Sequence, residues 1–142
     1  MHSECSICSG EADTQFRRIQ VWANERWRLT TTTYRVVRGL CYLEPKKHIR
    51  YITELDGTEA TEFGGVLSLV TRALKKATSC TLVYVYIYGG HIPHLHVHIA
   101  PHTEGDAFFD DVVKSNARIS EDIMADEEIR VISESIMREL NR

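Results

Sequence analysis

Two periodicities run through the chain. Phe63, Val66, Leu67, Val70 and Leu74 recur at steps of three and four, which places them on one face of a helix over residues 59–77. Just ahead, Asp56-Gly57-Thr58 supplies a turn and then an N-cap, with acidic Glu59 at the positive end of the helix dipole. The same step through Ile129, Ile132, Ile136 and Leu140 predicts a C-terminal helix. Residues 81–88 (TLVYVYIY) are β-branched or aromatic almost throughout, as in a central strand covered on both faces, and Gly89-Gly90 closes the run with a turn. Leu95, Val97 and Ile99 then alternate with His94, His96 and His98, so the next strand buries one face and presents three imidazoles on the other. Upstream, residues 27–33 (WRLTTTT) and 39–43 (GLCYL) read as paired strands, with Pro45 ending the second and a short helix over residues 48–55. The order strand, strand, helix, strand, strand, helix predicts an α+β domain: a mainly antiparallel sheet with the long helix on one face and a C-terminal helix. No repeat, low-complexity tract or linker divides residues 1–142, so one domain is expected.

Composition narrows the function more than the fold. Hydrophobic residues make up 43% and charged residues 26% of the 142 positions, which sets the chain apart from disordered sequences. A net charge of -3 gives no basic field for a polyphosphate backbone, so a small nucleotide remains a possible ligand but extended nucleic acid is not expected. No apolar run approaches the ~20 residues of a spanning helix. The opening MHSECSICSG has neither the basic nor the apolar part of a secretion signal, so no membrane partner and a cytoplasmic location are expected.

Five of the seven histidines fall between His91 and His102. Three of them at period two project from one strand face about 6.6 to 7 Å apart. An imidazole that titrates near neutrality can serve as nucleophile, proton carrier or metal ligand. A site of three imidazoles on one catalytic ion is one reading, but alternating rings on a single strand converge poorly on a common ion.

The heptapeptide His94-Leu95-His96-Val97-His98-Ile99-Ala100 resembles the signature of the histidine-triad (HIT) family, H-φ-H-φ-H-φ-φ with φ apolar, at every position. The likeness extends upstream, where Leu43-Glu44-Pro45-Lys46-Lys47-His48-Ile49 followed by Glu54-Leu55 is similar to the family's strand, Pro-Lys/Arg-x-His turn and short helix. Its general look is that of a bacterial branch described as diadenosine-polyphosphate-hydrolase-like. The resemblance implies a HIT-like fold and a nucleotide hydrolase or transferase that cleaves a phosphoanhydride or phosphoramidate bond at the α-phosphate. His96 is then the nucleophile that carries the nucleotidyl group, His94 orients it through the main chain, and His98 donates to phosphate oxygens or the leaving group. No magnesium is required, and the resembled branch dimerises through its long helix and sheet, so a homodimer is expected. The alternative is a zinc-stabilised nucleotide-binding protein with little or no turnover.

Where many members carry a Gly-Gln-Ser/Thr stretch before the triad, this chain has Gly89-Gly90-His91, whose backbone amides and imidazole are the expected phosphate contacts. Pro101 is followed by His102 in place of the family's arginine, which adds His102 to the expected substrate contacts and makes its charge pH-dependent. Cys5-Ser6-Ile7-Cys8 has the two-residue gap of a half zinc site; a free pair and a redox dithiol are the other readings. The resemblance to zinc-bearing HIT proteins supplies His48 and His94 as the remaining ligands of a structural zinc. Trp22 and Trp27 read as core, and Cys41 and Cys80 as small buried residues.

Overall fold

The computed structural model describes residues 4–90, 92–106 and 122–141. Two short helices, α1 (Ser6–Ser9) and α2 (Glu11–Gln15), lead into strands β1 (Arg18–Ala23), β2 (Trp27–Thr32) and β3 (Cys41–Pro45). The long helix α3 (Gly57–Thr78), strands β4 (Leu82–Tyr86) and β5 (Val97–His102), and helix α4 (Asp126–Leu140) follow. The five strands form one sheet in the order β1-β2-β3-β5-β4, every neighbouring pair antiparallel. This is the expected α+β architecture, an antiparallel sheet with the long helix and the C-terminal helix packed on it.

Cross-strand partners share a sheet face, and the two faces differ in kind. Leu29, Leu43 and Val97 stand in register across β2, β3 and β5, and so do Thr31, Cys41 and Ile99. All six are buried, and α3 and α4 pack against each other and over the sheet. The predicted stripe holds: Val66, Val70 and Leu74 of α3 and Ile132, Ile136 and Leu140 of α4 lie in this core. Trp27 is completely buried and stacks on Phe63, with centroids 5.3 Å apart, which makes it a core residue as expected. The opposite face carries Arg28 facing Glu44, and Thr30, Tyr42, His98 and Tyr86 in line.

Four expectations need correction. Residues 81–88 were expected as a central strand, but β4 lies at the sheet edge, with Leu82, Tyr84 and Val85 36–48% exposed. A run that is apolar on both faces calls for cover on both faces, and the described residues leave Leu82, Tyr84 and Val85 of this strand exposed. A fifth strand, β1, lies ahead of the predicted first one; its alternation of Ile19 and Val21 with Arg18 and Gln20 was masked by a buried arginine. The helix over residues 48–55 shrinks to one 3-10 turn at Ile52–Glu54. The N-cap of α3 is Asp56, with Gly57 the first helical residue, so Thr58 lies inside the helix.

The loop from β2 to β3 ends at Gly39, whose φ of +86° suits glycine, and a Cβ there would lie 3.1 Å from both Pro101 and Thr78. That close approach sets β3 beside β5, and so positions the turn after Pro45 next to the histidines.

Candidate metal centre and nucleophile

The histidine strand begins later than the alternation suggests. β5 starts at Val97, and the segment before it is held from both sides: the His94 amide donates to the Ile92 carbonyl at 2.8 Å and the Leu95 amide to the Ile49 carbonyl at 2.7 Å. The second bond fastens the first histidine to the turn that carries His48. Helix α1 brings the cysteines to the same place.

Four donor atoms converge there. His94 Nδ1 lies 3.4 Å from both Cys5 Sγ and Cys8 Sγ, and His48 Nδ1 lies 3.2 Å from Cys8 Sγ. All four ligand atoms are within 4.8 Å of one another. In a tetrahedron with Zn–S near 2.3 Å and Zn–N near 2.05 Å, sulfur and nitrogen stand ~3.6 Å apart. The observed separations match that edge closely, and two thiols with two imidazoles are a donor set suited to zinc. His94 Nε2 lies 2.8 Å from the Pro45 carbonyl oxygen. A carbonyl only accepts, so Nε2 carries the hydrogen and Nδ1 keeps its lone pair toward the sulfurs, the outer-shell arrangement that orients a metal-binding imidazole. Burial, with smaller contributions from His48 and His96, holds the His94 imidazole below its ordinary range against the Pro45 carbonyl. Burial and the neighbouring Cys5 thiol push the Cys8 thiol up to about 11, so a bound cation is what draws its proton off at neutral pH.

The same residue governs the next one. His96 Nδ1 lies 2.7 Å from the His94 carbonyl oxygen. By the same logic Nδ1 donates, and the neutral ring has its lone pair on Nε2. His96 borders a small cleft of about 160 Å³ lined also by Arg50, Tyr51, Ile52, Tyr88 and Gly89. His98 is 7% exposed, stacked on Tyr86 at 4.8 Å and edge-on to Tyr42 at 5.1 Å. The alternation therefore gives three histidines three surroundings: the sulfurs, a cleft, and an aromatic enclosure.

Of the expected phosphate contacts, Gly89 lines the cleft and Gly90 is exposed beside it. His91 lies outside the described residues, as does the chain from residue 107 to 121. His102 is not brought to the cleft: it ends β5 opposite Leu82, with its ring 5.3 Å from Tyr84, and stands ~20 Å along the strand from His96 at 3.3 Å per residue. Five residues of mostly extended chain lie between the two rings.

An ion network beneath the metal cluster has no counterpart in the motif. Glu44 is fully buried on β3 and accepts from Arg18 Nη1 at 3.1 Å and from Arg28 Nη1 at 3.0 Å. Both guanidinium groups also donate to Asp13 of α2, at 2.7 Å and 2.5 Å. Burial raises the Glu44 carboxyl and the arginines oppose the rise. For Asp13 burial also pushes upward, but the hydrogen bonds from Arg28 and Arg18 outweigh it and leave the carboxyl below its usual range. The signal in the sequence was a glutamate inside an otherwise apolar strand, directly before Pro45.

No family model and no curated protein sequence matches the chain. Solved structures do. A hypothetical histidine triad nucleotide-binding protein from Sulfolobus tokodaii is 27% identical, with 96% of this chain and 92% of that one covered and a TM-score of 0.72. A histidine triad (HIT) protein from Sinorhizobium meliloti shares 22% identity over 91% of this chain and 93% of that one, with a TM-score of 0.77. A Zn-bound histidine triad family protein from Mycobacterium smegmatis shares 19% over 97% and 91%, with a TM-score of 0.67. The last two show a common fold, and the first adds sequence likeness along nearly the whole chain. The chain thus shares its fold with histidine-triad proteins, and with one of them a sequence likeness over nearly its whole length.

Proposed function

We propose that residues 1–142 act as one domain that cleaves a phosphoanhydride or phosphoramidate bond at the α-phosphate of a small nucleotide through His96. The observation that carries this reading is the 2.7 Å bond from His96 Nδ1 to the His94 carbonyl, which leaves the Nε2 lone pair on a ring bordering a cleft. Nε2 attacks the α-phosphorus, the bond to the leaving group breaks, and the leaving group departs with its electron pair and a proton. Water then attacks the same phosphorus and releases the nucleotide from His96. Holding the ring in one orientation supplies the positioning on which such a displacement depends. His98, next along the same face, and the amides at Gly89 and Gly90 are the donors assigned to phosphate oxygens. Arg50 is engaged by Glu54 at 2.9 Å and is left out of that set.

Cys5, Cys8, His48 and His94 hold a structural zinc, a reading supported by the tetrahedral spacing and by the Zn-bound neighbour. Catalysis itself needs no magnesium. The substrate class we favour is that of the diadenosine-polyphosphate-hydrolase-like branch. Exposed Leu82 and Val85 at the sheet edge, beside a groove against Leu67 and Thr71 of α3, support a homodimer joined along β4 and α3. No helix among the described residues is long and apolar enough to cross a membrane, which accords with a cytoplasmic location. The second reading, nucleotide binding without turnover, is favoured by the loss of the glutamine and hydroxyl before the triad, where Gly89-Gly90 stands instead.

A panel containing diadenosine tetraphosphate and an adenosine phosphoramidate separates the two. Wild type is expected to turn over at least one of them, and His96→Ala to lose turnover by about 10³-fold or more, as when a nucleophile is removed, with folding and zinc content unchanged. Saturable binding by wild type without product, or equal rates in both proteins, overturns the enzymatic reading.

A further inference from the structure

His94 joins the metal cluster to the nucleophile, since its carbonyl holds the His96 ring, and the four donors are unequally accessible. Cys8 is exposed, whereas Cys5 is 3% and His94 1% exposed. Cys5 and Ile7 of the α1 segment form a small apolar cluster with Ala12 of α2, against which Ile92 packs, apart from the core between sheet and helices. Ile92 is also the residue whose carbonyl receives the His94 amide. The end of α2 is anchored independently, through Asp13 to Arg18 and Arg28. Loss of the metal therefore removes the tie between α1 and the His94 segment, while the cluster that α1 shares with α2, the main core and the anchor at Asp13 stay in place. Such a segment opens locally.

We propose that Cys5 and Cys8 form an oxidation site that switches the histidine strand: a peroxide converts the two thiolates to a disulfide and expels the metal. This rests on the zinc and His96 readings above. In the balanced step each thiolate sulfur gives up one electron as the S–S bond forms. The peroxide O–O bond breaks, its two oxygens take up two electrons and two protons beyond those they carry, and two waters leave with the free cation. The pair meets the conditions for the step: two intervening residues, sulfurs already within 4.8 Å, and one of them open to solvent. With Nδ1 of His94 released from its ligand shell, the ring retains only its Pro45 bond. The main-chain carbonyl that orients His96 then sits in a segment no longer pinned to α1. A displacement of about 1 Å there lowers the rate by up to ~100-fold. Reduction followed by zinc restores the hold.

The test treats zinc-loaded, full-length protein with stoichiometric hydrogen peroxide. Zinc release is followed with a chromogenic chelator, the disulfide by non-reducing peptide mass mapping, the His96 ring by ¹⁵N imidazole NMR, and hydrolysis on the substrate panel. One zinc freed per Cys5–Cys8 disulfide is expected, together with a shifted His96 Nδ1 signal and a fall in rate of at least about 10-fold, all reversed by dithiothreitol plus zinc. Three results overturn the proposal: oxidation of Cys41 or Cys80 ahead of the pair, a His96 signal unmoved once the pair is oxidised, or loss of the whole fold with the zinc. Absent turnover in the untreated protein refutes the hydrolase reading alone, and the zinc and imidazole signals then decide the switch.

Discussion

Replacing Arg18 with methionine tests how the metal-bearing segment is tied to the sheet. The Arg18 side chain is only 3% exposed, and it meets Glu44 with both terminal nitrogens, at 3.1 and 3.2 Å, as well as Asp13 at 2.7 Å. Methionine fills much of the same volume, so the cavity contribution is small and the change is mainly electrostatic. Glu44 would remain fully buried with Arg28 as its one cationic partner among the described residues. Removing one partner of a buried pair costs about 3–5 kcal/mol, and the retained Arg28 bond puts the expectation at the lower end, about 3 kcal/mol. For a chain of this length that corresponds to a melting temperature lower by roughly 6–12 °C. An exposed pair such as Arg130 with Glu134, screened by solvent, is expected to contribute far less. The pH dependence follows from the direction of the Glu44 shift. Its folded-state value is raised, chiefly by burial, so the folded state binds more protons than the unfolded one, and its contribution to stability falls as pH rises. Without Arg18 the rise is larger, and the penalty is greatest at neutral pH and shrinks as acid neutralises the carboxyl. Urea unfolding of both proteins at pH 7.5 and pH 5.5, at fixed free zinc, measures this. A penalty under 1 kcal/mol, or one that grows toward acid, refutes the reasoning; recovery in Arg18→Met with Glu44→Leu supports it further.

Two further outcomes are expected. Cys8→Ser removes the thiol that faces both imidazoles, so bound zinc measured by atomic absorption falls below one equivalent. Stability in the presence of free zinc at a thousand times the wild-type dissociation constant then drops by about 4 kcal/mol; full zinc occupancy in the variant contradicts the four-ligand site. Val85→Lys places a charge on the exposed edge strand, 41% accessible in the single chain. Light scattering should show a dimer in wild type and a 16.3 kDa monomer in the variant, whereas a monomeric wild type refutes pairing along β4.

Local pattern was enough for much of this protein. The stripe on α3 and the inward side of α4 are read within one element, where the helix period reports directly which side is buried; around the triad the period gives the burial of Leu95, Val97 and Ile99 but not that of His94 and His98. The Cys-x-x-Cys spacing, the Pro-Lys-x-His turn and the first triad histidine named four candidate zinc ligands, but only through a likeness, since nothing in the spacing says that residues 5, 8, 48 and 94 meet. Folding alone decided that. It placed α1 over the turn after β3, set β4 at the edge instead of the centre, and left His102 a strand's length from His96. It also made Arg18 a buried residue, which no local period could reveal, because an arginine is buried only when partners distant in sequence, here Glu44 and Asp13, compensate its charge. Sequence thus named candidate side chains for chemistry and the face that each of the two long helices buries. Tertiary structure decided which of them share a site, because metal coordination and charge pairing depend on distances of 2 to 4 Å that only the assembled sheet sets.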